Sequence, residues 1–117
     1  MKKIYYLSSC STCLKIMKEL KVDDNWEQQD IKLKNISAKE LDKIAKAKGT
    51  YEAIFSRRAM KFRSWGLNEK QLNEKEYRKY MLEEYTFLKR PFIIIGKEIF
   101  VGNTKSEIAA AKKALGL

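Results

Sequence analysis

Cys10-Ser11-Thr12-Cys13 is the tract of this chain most able to do covalent chemistry. Two cysteines three positions apart, at a turn that opens a helix, lie within the usual disulfide Cα separation of about 4.4–6.8 Å. The attacking species of such a pair is a thiolate. Its pKa falls from about 8.5 to roughly 3.5–7.5 where helix N-terminal amides or cations stabilise the charge. Cys13, one turn on, is then a candidate resolving or switch thiol, able to attack a mixed disulfide formed at Cys10. The same spacing also fits half of a zinc knuckle completed by a second chain, or two inert buried cysteines. What favours redox chemistry is the placement of Cys10 where a strand ends and a helix begins.

Two groups of cations could serve such a thiol. Arg57-Arg58-Ala59-Met60-Lys61-Phe62-Arg63 carries four cations and no acid in seven residues. Arginine forks match tetrahedral oxyanions and carboxylates, including those of glutathione, although a solvated helix face reads the same way. Arg90 precedes Pro91, the only proline, which opens an apolar run. Proline is allowed as the first residue of a strand, and a cis bond there would fix the preceding residue near the thiol. A plain strand-start proline beside a solvated arginine is the other reading.

Composition removes the competing chemistries. The chain has no histidine, so Ser-His-Asp, Cys-His and His-ligated metal sites are excluded. Two cysteines cannot build a four-ligand zinc site in one chain, and no metal is expected. No glycine-rich phosphate loop occurs. Thiols, carboxylates and cations remain.

These residues need elements to position them. Lys3-Ile4-Tyr5-Tyr6-Leu7 reads as a short strand, and Ser8, Ser9, Ser11 and Thr12 supply turn and cap chemistry around Cys10. From Cys13 the apolar residues Leu14, Ile16, Met17 and Leu20 follow helical spacing, closing near Lys21-Val22. Trp26 to Ile31 is a weaker strand pattern. The middle reads as helical. Ser37 to Glu40 forms a capping box before Leu41, Ile44 and Ala45, and Gly49 suits the stop. Thr50 heads a short helix through Ile54 and Phe55, and Asn73 opens another whose Tyr77, Tyr80, Met81 and Tyr85 read as core packing. Phe92 to Ile95, Gly96-Lys97 and Glu98 to Val101 make a hairpin. Thr104 to Glu107 is a capping box for a last helix bearing Ile108, Ala111 and Leu115. The order is βαβ, a helical insert over about 35–87, then ββα. This predicts an α/β, thioredoxin-like fold in a single domain over 1–117.

A length of 117 residues fits one domain, and 44% hydrophobic residues suffice for one modest core. The charge of +10 is spread: residues 1–50 hold 11 cations and 7 acids, residues 51–117 hold 14 and 8. Spread lysine reads as solvated surface, so no direct nucleic-acid binding is expected. The longest apolar run falls far short of the roughly 20 residues of a membrane span, and Ile4 to Leu7 is too short for a signal sequence. A cytoplasmic protein is expected.

Together, Tyr6 to Lys15, Phe55 to Arg63, Leu88 to Ile94 and Val101-Gly102-Asn103 resemble the arsenate reductase-like family that includes the Spx regulators. The resemblance spans nearly the whole chain and implies a thioredoxin fold with a helical insert. It implies that Cys10 is the reactive cysteine, attacking an oxyanion or disulfide in an adduct that a thiol resolves. No bound cofactor is implied; glutathione, a glutaredoxin or a thioredoxin is the implied thiol donor. Arg63 and Arg90 fall at the family's basic positions for binding the oxyanion or a mixed-disulfide partner, and Arg58 matches an arginine of the Spx-like branch. The last hairpin carries Ile99-Phe100-Val101-Gly102 where the glutaredoxin-linked arsenate reductases use a further arginine. Cys13 resembles the Spx branch instead, although Leu14-Lys15 stands where those proteins carry Arg-Lys. The alternative implied is therefore a redox-sensing transcriptional regulator that binds RNA polymerase through a Cys10–Cys13 switch.

Overall fold

The computed structural model describes residues 1–117, which divide into two compact units, Met1–Lys34 with Arg90–Leu117 and Asn35–Lys89. In chain order the elements begin with strand β1 (Lys2–Tyr6), helix α1 (Ser11–Glu19) and strand β2 (Glu27–Asp30). Helices α2 (Ala38–Lys48), α3 (Met60–Ser64) and α4 (Glu74–Glu83) follow, with short 3₁₀ turns at Glu52–Ile54, Leu67–Glu69 and Tyr85–Phe87. Strands β3 (Phe92–Ile95) and β4 (Glu98–Val101) and helix α5 (Lys105–Ala114) complete the chain. No helix is long and apolar enough to cross a membrane.

The first unit is built on a four-stranded sheet of order β2-β1-β3-β4, parallel between β1 and β2 and antiparallel elsewhere. This is the expected α/β fold of the thioredoxin-like type. Its register explains the core. Ile4 stands opposite Ile93, and Ile93 opposite Phe100, so three apolar side chains form one row across three strands. Ile16 of α1 and its C-cap residue Leu20, Trp26, and Ile108 and Ala111 of α5 pack on that row. Fully burying a side chain of this size contributes about 1.5–3 kcal/mol. The hairpin turns at Gly96, whose φ of +62° suits a turn matched to strand twist.

Strand β2 is shorter than the periodicity suggests. Its residues Glu27, Gln28, Gln29 and Asp30 are exposed or half-buried, because β2 is an edge strand held by pairing to β1. Trp26 and Ile31, just outside it, supply the buried anchors. Helix α1 begins at Ser11, two residues ahead of the apolar pattern. A first helical turn needs a capping position and free amides, not apolar residues, so periodicity detects the start late.

In the second unit, Ser37 caps α2 by accepting from the Glu40 N–H, and Gly49 ends it at φ +105°. Asn73 and Glu76 form a complete capping box on α4. The side-chain amide of Asn35 closes the other end of α4, donating to the carbonyls of Met81 (3.0 Å) and Leu82 (3.3 Å). Phe55 is the hub of the core, stacked on Phe87 at 5.0 Å and edge-on to Tyr77 at 4.9 Å. Tyr80 joins through Phe87 and Trp65, so the tyrosine stripe of α4 is packing. A backbone bridge between Phe55 and Leu88 ties the segment before α3 to the exit of the unit.

Candidate active site

Strand β1 ends at Tyr6, and the chain reverses through Leu7-Ser8-Ser9-Cys10, where the Cys10 N–H donates to the Leu7 carbonyl at 2.9 Å. Leu7 is buried and anchors the turn, while Ser8 and Ser9 are exposed. Cys10 is the N-cap residue of α1, in extended backbone geometry, and its carbonyl accepts the first helical bond from Leu14 at 3.2 Å. A half-exposed sulfur therefore stands at the positive end of a nine-residue helix with no acid in its first turn.

Helical geometry carries Cys13 inward, where it is fully buried. Neither cysteine is disulfide-bonded. Their environments pull the two thiols apart. Burial alone would push the Cys10 thiol up. The backbone N–H and thiol of Cys13, with the guanidinium of Arg90, outweigh burial and hold Cys10 below its ordinary range. The Cys10 side chain does not make a full capping hydrogen bond, so stabilisation is shared among these three neighbours. Burial pushes Cys13 up to about 12. The backbone of Leu7 opposes this, while the bond to Cys10 and the charge there add to it. Arg90 pulls Cys13 the other way, more weakly. The first proton to leave the pair thus leaves Cys10.

Arg90 reaches this place from the start of β3, and its peptide bond to Pro91 is cis. Pro91 is buried, and its carbonyl accepts from the Gly102 N–H at 2.9 Å across the hairpin. The structure thus brings together Cys10, Cys13 and Arg90, from two ends of the first unit.

The 57–63 cluster divides in two. Arg57 is bound to Glu52 at 2.5 Å and to the Tyr77 hydroxyl at 2.7 Å. Lys61 is paired at 2.8 Å with Glu84, a buried carboxylate that also accepts from the Thr86 hydroxyl at 2.6 Å. Both cations fasten the second unit internally. Arg58 and Arg63 are exposed there and make no ion pair, so they are the two of the cluster with uncommitted guanidinium groups. Sequence reasoning could not separate them, because Glu52 and Glu84 approach from outside the segment. No group of three acidic, cysteine or histidine side chains is placed to hold a metal.

The match to known families decides the lineage. Residues 5–111 fit the model of the ArsC family. The chain belongs to the ArsC family. Solved structures of the family's kind share its fold. The protein called YffB (PA3664) superposes with a TM-score of 0.78 at 24% identity, over 95% of this chain and 98% of that one. An arsenate reductase from Vibrio cholerae superposes at 0.74 with 18% identity, over 94% and 96%. An arsenate reductase (ArsC) related protein from Brucella melitensis superposes at 0.68 with 22% identity, over 93% and 92%. Among curated proteins, none matches the chain in sequence. Within the matched residues, Cys10, Cys13 and Arg90, which precedes the cis Pro91, come together at one place.

Proposed function

We propose that this ArsC-family protein is a thiol-dependent oxidoreductase in which Cys10 attacks an oxyanion such as arsenate, or a disulfide, and an external thiol resolves the adduct. The observation that carries the reading is the placement of the two free thiols: Cys10 is half-exposed at the head of α1 with the Arg90 guanidinium beside it, and Cys13 is buried one turn on, which favours the thiolate at Cys10 over Cys13. A thiol whose ionisation is favoured, beside a cation that attracts an anion, is what such a step requires.

With arsenate, the Cys10 sulfur bonds arsenic and an arsenate oxygen leaves as water. A glutathione thiolate then attacks the Cys10 sulfur, the S–As bond breaks, and its electron pair reduces arsenic from +5 to +3. The resulting Cys10–glutathione disulfide is reduced by a second thiol, from a glutaredoxin or thioredoxin, which releases Cys10 as thiolate. With a disulfide substrate, Cys10 attacks one sulfur, the S–S bond breaks, and the departing sulfur leaves as thiolate. Arg90 would hold the anion by its planar fork, with Arg58 and Arg63 as further anion-binding candidates. A cytoplasmic setting supplies the reducing thiols.

Coupled turnover of arsenate with glutathione, glutaredoxin and a nicotinamide-linked reductase tests the proposal. Wild type should turn over, Cys10→Ser should not, and Cys13→Ser should retain most of the rate. Absence of turnover with every thiol donor would sink the enzyme reading. The closeness of Cys13 to Cys10 also supports a redox-read regulator. That reading expects oxidised and reduced protein to differ in capturing RNA polymerase, with either serine variant fixed at the reduced-state value.

A further inference from the structure

The turn before Cys10 is held from one side by a carboxylate that sequence reasoning passed over. Asp30 is the last residue of β2 and lies opposite Tyr6, the last residue of β1, in the parallel register. Its Oδ1 accepts from the Ser8 N–H at 3.5 Å and from the Lys32 N–H at 3.1 Å. The Ser8 side chain beside it is the foremost reason its carboxyl lies below the usual range. The Asp30 carbonyl accepts from the N–H groups of Leu33 (3.1 Å) and Lys34 (3.0 Å), and the neighbouring Ile31 N–H donates to the Tyr6 carbonyl at 2.9 Å. One residue therefore gathers the end of β2, the turn after it and the turn leading into the cysteine. On the far side of that turn, the Cys10 N–H donates to the Leu7 carbonyl at 2.9 Å, and the Leu7 backbone also contacts the Cys13 thiol. Ser8 and Ser9 are exposed.

We propose that Asp30 is a positioning residue for Cys10: its carboxylate fixes Ser8 against the end of β2 and so keeps the Cys10 sulfur at the first turn of α1. The inference deepens the oxidoreductase reading, on which its catalytic meaning rests, but the placement of the sulfur is measurable without any substrate. Asp30 is not among the groups that set the Cys10 thiol, which are Cys13 and Arg90, so its influence runs through the turn and not through its charge. The cation beside Asp30 itself is Lys32.

Asp30→Ala removes the acceptor, whereas Asp30→Asn keeps an oxygen able to receive the Ser8 and Lys32 donors. Rates of iodoacetamide alkylation at Cys10, followed by mass spectrometry from pH 5 to 10 on full-length protein, give the thiol's midpoint in each variant. Circular dichroism is recorded alongside to establish that each is folded. The expected result is a midpoint raised in Asp30→Ala and restored toward wild type in Asp30→Asn. For each pH unit of that rise, the thiolate fraction below the midpoint falls about tenfold. A folded Asp30→Ala with an unmoved midpoint would overturn the proposal, whatever its melting temperature. So would an Asp30→Asn whose midpoint falls below wild type, since that is the signature of a through-space charge effect. If the midpoint moves as expected while arsenate and disulfide turnover are absent in wild type, the positioning stands and the oxidoreductase reading fails.

Discussion

Cys10 and Cys13 differ by one turn of helix, and that turn separates a half-exposed thiol from a buried one. Cys10 faces the free amides at the head of α1 and the Arg90 guanidinium; Cys13 is fully buried. At neutral pH iodoacetamide should therefore label Cys10 first, with Cys13 labelled only as pH climbs toward about 12. Preferential labelling of Cys13 would remove Cys10 as the nucleophile. Arg90→Gln should shift the Cys10 profile toward higher pH, because losing a nearby positive charge disfavours the thiolate. The same peptide-mapped alkylation series reads both outcomes. Arg90→Lys should fall between the two, since it restores the charge without the planar fork.

Helix ends carry specific contacts in both units, each within its own unit. The capping box at Asn73 and Glu76 is complete, and Asn73→Ala should cost about 1 kcal/mol in urea unfolding, the usual worth of an N-cap side chain. An unchanged unfolding midpoint would show that α4 is held by packing alone. The Thr104-to-Glu107 pattern works differently from the sequence expectation. Thr104 does cap α5 by accepting from the Glu107 N–H at 3.3 Å, but the Glu107 carboxylate also accepts from the Val101 N–H at 2.8 Å, on edge strand β4. A strand edge leaves amides that need partners, and this acid supplies one. Helix α3 lay hidden for a related reason. Its N-cap is Ala59, which offers no capping side chain, and its five residues bury none of their number, so neither cap chemistry nor periodicity announces it.

For the whole molecule, the excess of ten positive charges in 117 residues is the dominant global term. Self-repulsion of that size opposes compactness. Raising ionic strength from 0.01 M to 0.15 M shortens the screening length from about 30 Å to about 8 Å, so the melting temperature should rise across a chloride series. A fall would mean that the ion pairs of Arg78 with Asp42 and of Lys61 with Glu84 outweigh the global repulsion.

The sequence by itself determined the order of the strands and of helices α1, α2, α4 and α5, the thioredoxin-like α/β class and the placement of Cys10 at a strand-to-helix turn. Those depend on local quantities: alternation over β1 and β3, helical spacing in α1 and α5, and turn chemistry at Ser8-Ser9 and Gly96. Only the tertiary structure decided which residues meet across long separations. It carried Arg90 to Cys10, committed Arg57 to Glu52 and Tyr77 and Lys61 to Glu84, and left Arg58 and Arg63 uncommitted. It also brought Asp30 to Ser8 across 22 positions, because parallel pairing of β2 with β1 sets Asp30 opposite Tyr6. Spacing along the chain encodes which face a side chain takes. Which partner it finds there depends on sheet register and on the ends of other elements, and these exist only once the strands have paired.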